Sequence, residues 1–372
     1  MPIPGAYCGP SMAEDPPTPA GGQAAEEERR IHLLVWNTFL LRPRLVPWGV
    51  PLPAVGEMAA PAVADRAAAI GAALAGTYDV AALAEVFDPI ERRWVLNGWD
   101  ARTGVTALAG PERTFLPLGP AAFASSGLFT VVDGLAVTRS RQHRFTVRGD
   151  RLHDADAWSN KGVLLVEVDP LGDDTAGKVE IYSTHLFWGT GLLPGGRSAD
   201  PERRHHLRMQ QVDELVAFVE RTHRPENVAT VVGDFNVLAH DAEQPGPPGR
   251  WHLDLTAKLA PLGLVDTWVA RGVGPGPTCG VAEDPFDEED SECPGRLVDD
   301  PGDQGAQPGR ERIDYVWVQS ATPEHRLELS FGRPRRRAFP RHTGAPGFDR
   351  LPRLSDHLAL EIELVVRNRP RH

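Results

Sequence analysis

Cysteine is scarce in this chain, three among 372 residues, too few for a disulfide framework. Cys279 and Cys293 alone are close enough in sequence to suggest a loop-closing pair, and Cys8 reads as a bystander. Long apolar runs are missing as well, so no transmembrane segment is expected. Basic residues are in deficit, 39 against 51 acidic ones, and the formal net charge of −12 repels polyanions and disfavours long nucleic acid as a partner. The stretch 1–30 lacks the basic start and continuous apolar core of a secretory signal. Its proline, glycine, alanine and glutamate content reads as a disordered leader. A cytoplasmic location is therefore the default expectation, with secretion left open, and a monomer is expected. No internal repeat is visible.

What is present is core-forming: 41% of the residues are apolar, enough for one large domain or two ordinary ones, and from Ile31 onward the pattern is that of a single compact α/β domain, expected over 31–366. Short β-rich runs bounded by turn residues lie at 31–37, 79–86, 162–168, 179–186, 228–237, 312–318 and 358–364. Several have no polar face, which belongs to sheets covered on both sides and implies an α/β domain of stacked sheets with helices outside. Helices are expected at 60–76, 201–223 and 253–263; in the second, Leu207, Val212, Leu215, Val216 and Val219 form one apolar stripe. Two glycine- and proline-rich stretches, 272–310 and 332–350, read as surface insertions. The acidic run "EDPFDEEDSE" matches no calcium-loop spacing and reads as a solvated loop. The basic run "RPRRRAFPR" allows a phosphate or anionic-lipid contact, or simply balances an acidic surface.

Polar side chains recur where core strands end: Asn37 after "LLVW", Glu85 after "AALA", His185 after "YST", Asp234 and Asn236 after "VVG", Asp314 within "RIDYVWV", and Asp356 and His357 before "LALEIEL". Each alone has a structural reading, as a turn former, a strand end or a hydrogen-bonded core histidine. Together they suggest a cleft at one sheet edge. Oxygen ligands without cysteines or paired histidines select a hard cation, Mg²⁺ with Mn²⁺ as the alternative, and disfavour zinc. Glu85 would hold the ion with Asn37 nearby, and His357 is the candidate base because imidazole titrates near neutral pH. Asp314 would fix the tautomer of His357. Asp234 and Asn236 would orient water and contact phosphate, and His185 would stabilise developing charge or protonate the leaving oxygen.

The ordered set "WN", "LAEVFD", "STHL", "GDFNV", "RIDYV" and "LSDH" resembles the endonuclease/exonuclease/phosphatase superfamily, the fold of pancreatic deoxyribonuclease and of magnesium-dependent neutral sphingomyelinases, over Ile31 to Leu364. The resemblance implies a four-layered α/β sandwich, two stacked mixed β-sheets flanked by helices, together with divalent-metal dependence and phosphoester hydrolysis. It makes Glu85 the metal-binding glutamate, Asn37 the asparagine beside the metal and Asp356 a second metal-site carboxylate. Asp234 and Asn236 match the "GDxN" pair, Asp314 the support of the base, His357 the base and His185 the histidine of the "THL" strand.

"SSGLFTVVDG" followed by "SNKG" looks like the bacterial neutral sphingomyelinase and phospholipase C-like branch. That likeness implies a phospholipid head-group phosphodiester as substrate and puts Asn160 and Lys161 at the rim of the phosphate site; a polar hairpin turn is the alternative. Departures from the pattern are Ala84 where a glutamine is usual and "FWGTG" after "STHL". Two other functions stay open: a nuclease or a sugar or inositol phosphatase on the same site, and a non-catalytic binding protein on a degenerate enzyme scaffold.

Overall fold

The structure, a computed structural model, describes residues 28–42, 44–45, 50–51, 60–99, 104–112, 124–150, 154–173, 175–189, 200–240, 248–279, 296–297 and 311–369. Apart from a two-residue ribbon, its elements run β1 (Glu28–Leu40), α1 (Val63–Leu74), β2 (Val80–Val86), α2 (Pro89–Gly98), β3 (Val105–Ala109), β4 (Phe129–Asp133), β5 (Ala136–Arg144), β6 (Gly162–Asp169) and β7 (Val179–His185). There follow α3 (Pro201–Thr222), β8 (Val228–Asp234), α4 (Arg250–Leu259), β9 (Leu264–Asp266), α5 (Thr267–Arg271), β10 (Arg296–Leu297), β11 (Asp314–Gln319), β12 (Leu327–Phe331), β13 (Arg335–Ala338) and β14 (Ala359–Asn368).

Two mixed sheets form. The first has the order β10-β13-β14-β1-β2-β4-β3, with β12 also on β14, and the second has β9-β11-β8-β7-β6-β5. Only β1 with β2 and β7 with β8 run parallel among these described pairs. Strand parity explains the layering, because successive side chains point to opposite faces. On β1, Ile31, Leu33 and Val35 enter a core shared with Val166, Ile181, Val232 and Val316 of the other sheet. The alternate residues Leu34 and Trp36 face α1 and α2, meeting Val63, Ala67, Ile70 and Val95. The second sheet does the same, packing Ala229 and Val231 of β8 beneath Val212, Leu215 and Val219 of α3. The result is the four-layered sandwich, helix, sheet, sheet, helix. No helix among the described residues is long and apolar enough to cross a membrane.

Some boundaries differ from the sequence reading. β1 begins at Glu28, three residues inside the stretch read as leader, and residues 1–27 lie outside the described residues. α4 is Arg250–Leu259 rather than 253–263; it starts after Gly249, and Pro261 cannot donate to an α-helical ladder, so the chain continues as a short 3₁₀ turn. α2 is not among the expected helices, although Asp88 and Glu91 form a reciprocal capping box with Pro89 between them. Residues 332–350 are not wholly a surface insertion. Their Arg335–Arg337 pairs with Glu361–Ala359 of β14, Arg336 is buried and donates to Pro277 O, and Arg337 makes a bidentate pair with Glu361. The arginine run is thereby partly committed to internal partners. Most of 272–310 lies outside the described residues.

Candidate active site

The parity that builds the inter-sheet core also delivers the polar cluster. Asn37 continues Leu33 and Val35, His185 continues Val179 and Ile181, Asp234 continues Val228 and Val232, and Asp314 precedes Val316 and Val318. All four side chains therefore emerge between the sheets, at the edge where parallel strands end and antiparallel ones begin. Register finishes the alignment: Asp234 is the direct partner of His185 on one side and of Asp314 on the other.

Gly233 makes this spacing possible. Its φ is +136°, and a Cβ there would lie 1.9 Å from the Thr184 carbonyl oxygen, so only glycine allows β8 to approach β7 this closely. Two neighbouring site residues carry left-handed backbone without being glycine, Glu85 at φ 61° and Asn236 at φ 53°. Such conformations persist where surrounding contacts fix them. Asn236 is fixed by its N–H on Asp234 Oδ1, 2.9 Å, and by its Nδ2 donating to Leu186 O, 3.0 Å.

Asn37 joins the two sheets: its Nδ2 donates to Glu85 Oε1 at 3.1 Å and to Asp234 Oδ2 at 2.9 Å. His185 Nε2 is 3.5 Å from Asp234 Oδ2, 4.0 Å from Glu85 Oε1 and 2.8 Å from Lys161 Nζ. His357 Nδ1 meets Asp314 Oδ2 at 2.8 Å, with both groups buried. The residues expected at the site are thus gathered from β1, β2, β7, β8, β11 and the loop before β14. Asn160 is the exception. Its carboxamide engages Arg148 Nη2 and the Glu112 carbonyl, bracing a loop, while its neighbour Lys161 reaches the cluster.

The electrostatics follow from packing charges in a largely buried site. Burial, and next the Asp356 carboxylate, raises the Glu85 carboxyl above its ordinary value. Asp234 is pushed up to about 7 by burial and by Asp314. For His185, burial and then Lys161 and His357 depress the imidazole well below its usual range. Burial acts in the same sense on His357, but the Cys279 sulfur and the Asp314 carboxylate outweigh it and hold that imidazole well above its ordinary value.

A divalent cation fits the carboxylates of this site. Glu85 and Asp356 offer oxygen donors that repel one another without a cation, while Asn37 turns its Nδ2 toward Glu85 and its Oδ1 toward the Phe39 N–H. A tighter group, Asp234, Asp314 and His357, brings one possible ligand atom from each within 4.8 Å of the others. His357 and Asp314 already hydrogen-bond each other, which leaves the Glu85 carboxylate the freer of the two groups to meet an ion.

Several residues around the site were not placed there from the sequence. Cys279 is a free cysteine whose backbone bridges to both Glu311 and His357; Cys293 lies outside the described residues. Ser355 Oγ donates to Asn37 O and accepts from His357 N, and Trp36 Nε1 donates to His357 O. Ser355 and Trp36 lie within the quoted motifs "LSDH" and "WN", but nothing in their residue types announced a bridging role. Phe187 is buried in the core.

No protein-family model and no curated protein matches the chain. Solved structures do match. Beta toxin from Staphylococcus aureus is 15% identical with a TM-score of 0.53, covering 89% of this chain and 99% of its own. TDP2 of D. rerio complexed with a single-strand DNA product is 14% identical with a TM-score of 0.54, covering 90% and 98%. Sphingomyelinase C from Streptomyces griseocarneus is 17% identical with a TM-score of 0.50, covering 91% and 99%. The likeness shows the fold: the chain is a deoxyribonuclease I-like α/β sandwich.

Proposed function

We propose that the protein is a divalent-metal-dependent phosphodiesterase that hydrolyses its substrate by in-line attack of water. The observation that carries this reading is the continuous contact chain from Glu85 through Asn37 to Asp234, flanked in register by His185 and by Asp314 with His357. Glu85 and Asp356 would hold Mg²⁺ or Mn²⁺, with Asn37 beside the ion bracing Glu85, and the ion would supply charge neutralisation at the phosphoryl group and leaving oxygen.

The protein's own groups divide the remaining work. Asp314 fixes the proton of His357 on Nδ1, leaving Nε2 to accept the proton of the attacking water. Lys161 Nζ donates to His185 Nε2 at 2.8 Å, so the imidazole anchors the lysine where negative charge develops on phosphate. Asp234 accepts from Asn37 and from the Asn236 backbone, which orients it toward the reacting water.

A phospholipid head-group diester such as sphingomyelin is the favoured substrate. Support comes from the "SNKG" turn, whose Lys161 reaches His185, and from the solved sphingomyelinase of like fold. A net charge of −12 weighs against long nucleic acid. The test is a Mg²⁺ panel comparing sphingomyelin, lysophospholipids, bis(p-nitrophenyl) phosphate and plasmid DNA, run beside folded His357→Ala. We expect choline-phosphodiester turnover that vanishes in the variant. Near-normal rates in His357→Ala would refute the base, and no Mg²⁺-stimulated hydrolysis of any substrate would favour the non-catalytic reading.

A further inference from the structure

The guanidinium of Arg66 lies in the first turns of α1, is fully buried, and donates to four main-chain carbonyls. Nε reaches Pro61 O at 2.8 Å, Nη1 reaches Thr38 O at 3.1 Å and Leu354 O at 2.7 Å, and Nη2 reaches Phe39 O at 2.6 Å. Two of these acceptors immediately follow Asn37, and a third lies two residues before Asp356. One side chain therefore grips the segments that carry the metal-side carboxamide and the base.

The local backbone explains why such a grip is needed. The β1–β2 register shifts between Asn37 and Leu40, and Phe39 has a left-handed φ of 51°. A bulge of this kind takes carbonyls out of the strand ladder, and buried carbonyls need a donor. Arg66 supplies it for Thr38 and Phe39, while Asn37 Oδ1 accepts the Phe39 N–H at 3.1 Å. Ser355 adds a second strut, its Oγ donating to Asn37 O at 2.7 Å and accepting from His357 N at 3.1 Å. Lysine could not substitute, because its single ammonium lacks the planar fork that reaches divergent acceptors.

We propose that Arg66, with Ser355 as its auxiliary, is a positioning residue that sets the geometry between the metal-side residues Asn37 and Glu85 and the base His357. This inference rests on the phosphodiesterase reading for its kinetic arm only. The test compares Arg66→Lys with Leu74→Ala, a core truncation at the far end of the same helix that serves as the stability control. We expect Arg66→Lys to lower kcat on bis(p-nitrophenyl) phosphate by about 10- to 100-fold with little change in KM, as misplacement of reacting groups does. The folded fraction of Leu74→Ala should keep the wild-type kcat.

The second readout needs no turnover. In metal-free protein, the imidazole ¹H–¹⁵N signal of His357 Nδ1, assigned by its loss in His357→Gln, should shift or broaden in Arg66→Lys and stay in place in Leu74→Ala. An unmoved signal together with a control-like kcat overturns the proposal. If wild-type protein hydrolyses no phosphodiester, the functional reading fails and the imidazole signal alone decides the role of Arg66. If Arg66→Lys does not fold, Arg66→Gln, which can still donate to part of the carbonyl set, takes its place: a shift of the same signal supports the coupling, and none overturns it.

Discussion

Replacing Asp314 by asparagine keeps the shape of the side chain and removes the charge that faces His357. The 2.8 Å contact between Asp314 Oδ2 and His357 Nδ1 is buried, and a hydrogen bond to a charged group contributes roughly 1.5–3 kcal/mol. At 1.36 kcal/mol per unit, the imidazole should become about 1–2 pKa units less basic. The amide can also present its NH₂ group to Nδ1 and drive the ring proton to Nε2, where it blocks proton abstraction. Loss of the supporting carboxylate in a serine-protease triad lowers kcat by about 10⁴ for this reason, and a fall of roughly 10²–10⁴ is expected here. The assay is kcat/KM against pH on bis(p-nitrophenyl) phosphate at saturating Mg²⁺. Because the His357 imidazole is raised in the folded state, its base form accumulates as pH climbs through that raised value. The rising limb of the variant should move to lower pH while its plateau drops. Stability follows the same linkage: the raised imidazole contributes fully below its unfolded value and loses that contribution as pH rises through the folded one. The stability gap between wild type and variant should thus be widest in acid, in metal-free buffer. A rate within about threefold of wild type and an unshifted limb would refute the triad-like role.

Two further predictions concern the frame around the site. Glu180 is buried and accepts from His223, Asn227, Tyr182 and Arg139; burial opposes its ionisation, but His223 and Asn227 outweigh it and lower its pKa. Glu180→Gln should cost about 3–5 kcal/mol at pH 7 in urea denaturation. The deficit should narrow as pH falls through the lowered folded value, since the ionised group contributes only above that point; a deficit that does not change with pH would count against the linkage. Gly233→Ala places a Cβ 1.9 Å from the Thr184 carbonyl oxygen at φ +136°. It should destabilise by more than about 3 kcal/mol, measured by thermal melting, and a wild-type melting temperature would show that the two strands can separate there.

How much of this was legible in the sequence depends on the range of the interaction. The two-sided apolar strands at 31–37 and 228–237 announced sheets buried on both faces and placed Asn37 and Asp234 at strand ends, but which face was the inner one could not be read from strands apolar on both sides. Motif order collected the remaining strand-end residues. Contacts made by main-chain carbonyls were silent: Arg66 looked like any helix arginine, and nothing in "SNKG" separated Lys161, which enters the cluster, from Asn160, which braces a loop. The "RPRRRAFPR" stretch was misread because turn residues surround it, whereas pairing with β14 buries Arg336 and spends Arg337 on Glu361. The capping box of α2 was local and available, and Asp88 with Glu91 could have located that helix.

The central claim, that carboxylate, carboxamide and imidazole groups serve one ion-dependent hydrolytic centre, is tested most directly by anomalous diffraction from crystals soaked in Mn²⁺. The account predicts a dominant anomalous peak within coordination distance of the Glu85 carboxylate, beside Asn37 and Asp356, and its loss in Glu85→Gln. Manganese bound only at remote surface acids, with the Glu85 cleft empty at saturating ion, would contradict it.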